Sequence, residues 1–98
     1  MKPIILHCEA DVELTAAAKR YSCTRPELAR AFLHAFPAAK EAIARQPDRF
    51  SFLENPVRRV RIADFPYRIV YEEMDDCVHV LAIMHDGREP GYWKSRLS

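Results

Sequence analysis

ADFPYRIVYEEMDDCVHVLAIMH, residues 63–85, is the stretch that decides the fold. Apolar side chains recur at every second position through Tyr67–Glu73 and again through Val78–His85, the period a half-buried strand imposes. Asp75 and Asp76 stand between the two runs as a turn, and ADFP separates the first run from another strand-like segment, Val57–Ala63. Three successive strands with short connections form an antiparallel meander. Centring the first turn on Asp64 and Phe65 predicts Arg61 opposite Arg68, Val60 opposite Ile69 and Arg59 opposite Val70. Centring the second on Asp75 and Asp76 predicts Tyr71 opposite Val80, Ile69 opposite Ala82 and Arg68 opposite Ile83.

Two faces follow from this register. One carries Val60, Ile62, Tyr67, Ile69, Tyr71, Val80, Ala82 and Met84 and is suited to a helical layer. The other carries Arg59, Arg61, Arg68, Val70, Glu72, His79, Leu81, Ile83 and His85. Placing Arg61 directly across from Arg68 costs roughly 0.2 to 1 kcal/mol as a like-charge pair. A polyanion or a partner's carboxylate would turn that cost into attraction, because guanidinium groups grip such anions in a bidentate fork. The alternative is a solvated polar face with Glu72 and Glu73 as local counterions.

Working outward, Pro3–Cys8 predicts a short first strand. EADVELTAAAKRY places Ala10, Leu14, Ala17, Ala18 and Tyr21 on one helical stripe, with Glu9 and Asp11 at the positive end of the helix dipole. TRPE predicts the next helix start, with Thr24 as cap, Pro26 in the first turn and Glu27 completing a capping box. Its stripe is Leu28, Phe32, Ala35, Phe36, Ala39, Ala42 and Ile43, which is broad enough to lie on a sheet. Pro37 removes the helical donor for the carbonyl of Leu33, which predicts a kink near Leu33–Phe36 or two shorter helices; Pro47 ends the segment. The order is β-α-α-β-β-β, an α+β fold with an antiparallel sheet and a helical hairpin on one face.

A chain of 98 residues has the size of one domain, 1–98. With 15 basic and 14 acidic residues the net charge of +1 names no partner, so any attraction to an anion depends on how the arginines are gathered. Three cysteines, Cys8, Cys23 and Cys77, signal neither a disulfide framework nor a zinc site and are expected to be buried thiols. MKPIILHC is too short an apolar run for a signal peptide or a membrane span, which predicts a cytoplasmic protein. His79 and His85 are about 20 Å apart along a strand, too far to share one metal ion. No cofactor and no metal are expected. His7, Glu72, Glu73, Asp75 and Asp76 read as strand-end and turn residues. The tail HDGREPGYWKSRLS mixes Arg88, Tyr92, Trp93, Lys94 and Arg96, a combination that contacts phosphates and stacks on bases but equally docks on a sheet. Trp93 is expected to be the anchor that holds the tail.

Three stretches in this β-α-α-β-β-β order resemble the RelE/ParE superfamily of type II toxin–antitoxin toxins: PDRF after the second helix, FPYRIVYE, and VLAIMHDGREPGYW. The resemblance covers most of the chain and is strongest over residues 47–93. It implies a toxin held inactive in a hetero-oligomer by an antitoxin encoded beside it, whose C-terminal segment wraps the toxin. Members of the RelE type cleave mRNA on the ribosome by driving a ribose 2'-OH onto the adjacent phosphate. The resemblance then puts Arg68 and Arg88 on the family's two arginines, and Arg59 and Arg61 where RelE-like sequences carry lysines. Arginine is a poor proton acceptor. Tyr92 and His85 are the remaining candidates, so the catalytic set of a ribonuclease would be drawn from Arg61, Arg68, His85, Arg88 and Tyr92. ParE-like toxins, which stall DNA gyrase on cleaved DNA, resemble the chain more closely in FPYRIVY and MHDGREPGYW. Pro37 is unusual for both branches.

The reading is a ParE-like toxin directed at gyrase, with Arg59, Arg61, Arg68 and Arg88 as an anion- or target-binding set. Alternatives are an endoribonuclease acting on ribosome-bound mRNA, and a basic-faced adaptor without toxicity.

Overall fold

The computed structural model describes all residues, Met1–Ser98. Strand β1 (Ile4–Leu6) leads into helix α1 (Cys8–Thr24) and helix α2 (Pro26–Arg45). Strands β2 (Phe52–Glu54), β3 (Val57–Arg61), β4 (Tyr67–Glu73) and β5 (Val78–His85) follow, and a 3₁₀ turn (Lys94–Arg96) lies in the tail. The sheet order is β1-β5-β4-β3-β2. The expected meander is antiparallel, while β1 joins its far edge parallel to β5, which makes the whole sheet mixed. The short β2 extends the other edge; Phe52–Glu54 offers too few residues to show a period from sequence.

His7 caps α1: its Nδ1 accepts a hydrogen bond from the backbone N–H of Glu9 at 3.1 Å. The apolar stripe of α1 lands as its spacing requires, with Ala10 and Ala17 buried and Leu14, Ala18 and Tyr21 packed beside them. Helix α2 buries Ala29, Phe32, Phe36, Ala39 and Ile43. Phe32 is fully buried against Tyr21, Phe65 and Tyr67, with ring centroids 5.2–5.6 Å away. Truncating it to alanine would cost about 3–5 kcal/mol.

Two helix expectations are corrected. Thr24 does not cap α2; it ends α1, its hydroxyl donating back to the carbonyls of Arg20 and Tyr21, and Arg25 takes the N-cap position. The reason is the tightness of the hairpin: with only Arg25 between the helices, Thr24 still has helical backbone. Pro37 does not divide α2, which runs as one helix through it. Leu33 and Pro37 are both exposed, so the carbonyl deprived of its donor lies on the solvent stripe, where water can satisfy it.

Register between β3 and β4 is as the turn residues imply: Arg61 faces Arg68, Val60 faces Ile69 and Arg59 faces Val70. Between β4 and β5 it holds only as far as Tyr71 opposite Val80. A bulge follows. Val70 pairs with Ala82, leaving Leu81 as the extra residue, so Ile69 faces Ile83 and Arg68 faces Met84. That single insertion exchanges the faces of the last four residues of β5. Ile83 and His85 turn toward the helices, and Ala82 and Met84 turn away.

The face turned from the helices is therefore less polar than its alternation implies. Val57, Val70, Leu81, Ala82 and Trp93 form a second small core there, with Leu53, Met84 and Tyr92 packed against it. Trp93 is 2% exposed and is the anchor of the tail. The expectation of buried thiols fails: Cys8 and Cys23 are exposed, and all three cysteines are free. No helix is long and apolar enough to cross a membrane.

Candidate functional site

Alternation along β3 and β4 carries Arg59, Arg61 and Arg68 to the face opposite the helices, and the turn after β5 brings Arg88 to the same end. Arg59, Arg68 and Arg88 line one open cleft of about 460 Å³, walled by Leu53, Met84 and Trp93 and by the Pro90–Gly91 turn. Glu54 and Asp86 are the two acids of its lining, Glu54 pairing with Lys94 at 3.0 Å. Arg61 is outside the lining but directly beside Arg68 on the next strand.

The like-charge pair is relieved by an acid that sequence reading did not select. Asp86 bridges the two guanidiniums, Oδ2 at 3.5 Å from Arg61 Nη1 and Oδ1 at 3.6 Å from Arg68 Nε. Both contacts are long for a charge-assisted hydrogen bond, and the three side chains are 27–43% exposed, so the attraction is heavily screened. Glu72 and Glu73 are not the local counterions. Glu72 Oε2 meets His79 Nδ1 at 3.0 Å and accepts from the Ser98 hydroxyl at 3.1 Å, and Glu73 pairs with Lys2 at 2.9 Å. Arg88 donates to Glu89 and lies 3.7 Å from Glu13. Arg59 has neither an acidic partner nor a side-chain hydrogen bond.

Two candidates for proton transfer lie elsewhere. His85 was expected on the arginine face; the bulge at Leu81 puts it on the other side, beside Tyr67 with ring centroids 5.1 Å apart. There it lines a second cleft with Glu13, Ala17 and Arg20 of α1 and with Arg88, which borders both clefts. Its Nδ1 accepts from the backbone N–H of Gly87 at 2.9 Å, a role in shaping the turn. Tyr92 lies against two guanidiniums, Arg88 3.7 Å and Arg96 5.0 Å from its ring centre, and its buried hydroxyl sits beside the Glu13 carboxylate without forming a well-aligned hydrogen bond. Burial first, and then the negative charge of Glu13, push its phenol above the ordinary range. Both groups border Arg88, but neither lines the cleft that holds Arg59 and Arg68.

The ion pair that braces this region also escaped the sequence. Arg96 donates to both carboxylate oxygens of Glu13, at 2.9 and 3.1 Å, and to the carbonyl of Leu81 at 3.0 Å. Glu13 in turn accepts from the backbone N–H of Ile83 at 3.0 Å. Strand β1 covers β5 only from Val78 to Val80, so the backbone beyond it would lack partners. Glu13 and Arg96 supply them, and in doing so tie α1, β5 and the tail together. On sequence alone Glu13 is one acid on an amphipathic helix, and nothing marks it as different from Glu9.

No group of histidine, cysteine or acidic side chains is arranged to hold a metal ion. The cleft's arginines offer an anion donors only and have no means of taking a proton from one.

Against known proteins, the family model described as "ParE toxin of type II toxin-antitoxin system, parDE" matches residues 4–90. Among solved structures the chain is similar to one from the chromosomal ParDE TA system of P. aeruginosa. The TM-score is 0.74 at 15% identity, over 87% of this chain and 96% of that one. No curated protein matches.

Proposed function

This chain belongs to the ParE toxin family of type II toxin–antitoxin systems, and on that footing we propose that it arrests growth by inhibiting DNA gyrase and is neutralised in the cytoplasm by a cognate antitoxin. Arg59, Arg61, Arg68 and Arg88 form the surface through which it engages an anionic group of a partner. The observation that carries the choice between a binding toxin and an RNA-cutting one is the placement of His85. Attack by a ribose 2'-OH needs a proton acceptor within hydrogen-bond reach of the hydroxyl and a donor for the leaving oxygen. On the arginine face the fixed cations could stabilise a phosphorane, but the histidine opens to the helix side of the sheet, bordering Arg88 and not Arg59 or Arg68, and the phenol of Tyr92 is buried.

Expression of the chain alone tests this reading. Growth arrest with gyrase-linked DNA breaks and intact mRNA is the expected result, relieved when the neighbouring small reading frame is co-expressed. Codon-phased mRNA cuts with intact DNA would establish the ribonuclease instead, and unimpaired growth would leave a basic-faced adaptor.

A further inference from the structure

The cleft contains one arginine that the fold does not use. Arg61 and Arg68 share Asp86, and Arg88 has Glu89, but Arg59 is half-buried at the cleft wall with its charge uncompensated. Desolvating a guanidinium costs free energy unless something pairs with it. From this geometry we infer that the cleft is a receptor for a single carboxylate, an acidic side chain of the neutralising antitoxin, held in a fork between Arg59 and Arg68 with Arg88 closing over it. This rests on the antitoxin named above and specifies the chemistry it must present.

Two features favour an isolated carboxylate over a nucleic-acid backbone. The cationic window is short, because Glu54, paired with Lys94, and Asp86 line the cleft between and beside the arginines, and Glu89 lies beside Arg88. A duplex presents about one charge per 1.7 Å of its axis, so phosphates flanking the one in the cleft would meet these carboxylates. Single-stranded nucleic acid is held by stacking on open aromatic faces. Here Trp93 is 2% exposed and the Tyr92 ring is covered by the Arg88 guanidinium. Arg68 fits the role because its bond to Asp86 is long and can yield to a better placed acid.

The test uses the full chain and two probes at matched ionic strength, followed through the arginine Nε–Hε signals by NMR. The capped tripeptide Ac-Ala-Glu-Ala-NH₂ is expected to shift Arg59 and Arg68 at millimolar concentration, its glutamine counterpart to leave them unmoved, and a dT oligonucleotide to bind no tighter than the glutamate peptide. Tighter binding of the oligonucleotide at the same signals, or no response to the glutamate peptide, overturns the proposal. With the antitoxin, Arg59→Gln is expected to weaken the complex about 10- to 100-fold, the loss of a charge-assisted contact, at unchanged melting temperature. An unchanged affinity in a complex that still neutralises refutes the carboxylate receptor and leaves the toxin reading intact. Failure of any antitoxin to neutralise the wild type refutes that reading, and the peptide titration then decides the cleft by itself.

Discussion

Replacing Glu13 by glutamine removes one negative charge and keeps the shape of the side chain. An amide oxygen at the Oε1 position still accepts from Ile83 N–H and Arg96 Nη1, and the Leu81 carbonyl is untouched, but the charge is gone and Arg96 Nη2 meets an amide NH₂, itself a donor, where Oε2 stood. Side chains of the pair are 12% and 16% exposed, so the guanidinium is left mostly desolvated. Hydrogen bonds to charged groups contribute about 1.5–3 kcal/mol, and breaking a fully buried pair costs about 3–5 kcal/mol. Because both groups still touch solvent, the expected loss is about 2–3 kcal/mol. For a chain of this size that corresponds to a fall in Tm of roughly 10–20 °C. Trp93 is the sole tryptophan and sits three residues before Arg96, so its fluorescence reports the tail while far-UV circular dichroism reports the whole fold. In urea, the fluorescence transition of Glu13→Gln is expected to precede the dichroism transition as the tail lifts from the second face. A double-mutant cycle with Arg96→Met should give a coupling above about 1 kcal/mol. A Tm matching that of the exposed control Glu9→Gln, together with a coupling near zero, would show that the pair does not brace the strand.

Tyr71, fully buried on the helix side, donates to the carbonyl of Pro47 at 2.6 Å, and burial raises its phenol to about 12. A folded-state value above the unfolded value of about 10 means that the stability tied to the neutral phenol is complete below pH 10. It is then lost as the pH rises toward 12. Denaturant midpoints measured from pH 8 to 12 should therefore decline in the wild type and decline less in Tyr71→Phe, which should be about 1 kcal/mol less stable at pH 8. Proline inside a helix is about 3 kcal/mol worse than alanine, and the greater freedom of the unfolded chain returns about 1 kcal/mol of that. With Pro37 exposed, Pro37→Ala should raise stability by about 1–2 kcal/mol in urea melts; an unchanged or lower midpoint would mean that α2 is shaped around its proline.

Much of this architecture is written in short-range patterns. The stripe from Phe32 to Ile43 could bury itself only against a layer, and the two-residue alternation of Tyr67–Tyr71 supplied that layer. Turn residues at Asp64–Phe65 and Asp75–Asp76 set the pairing of Arg61 with Arg68 and of Tyr71 with Val80, because a tight turn leaves its flanking residues no other register. The arginine cluster was legible for the same reason, and the tail's resemblance pointed to the family.

What the chain's linear order could not reveal is where one extra residue would be absorbed. Leu81 is as good a strand residue as its neighbours, and only the three-dimensional fit of β5 against β4, α1 and the tail decides that it bulges. That choice moved His85 behind the sheet, gave Ala82 and Met84 to the second face, and created the unpaired backbone groups that Glu13 and Arg96 satisfy. Asp86, one residue past the strand, came within reach of two arginines by the same placement. Local sequence specifies periods and turns because these depend on residues a few bonds apart. Counterions, clefts and the face on which a strand end emerges depend on residues up to 83 positions apart, from Glu13 to Arg96, and these meet only when the chain has folded.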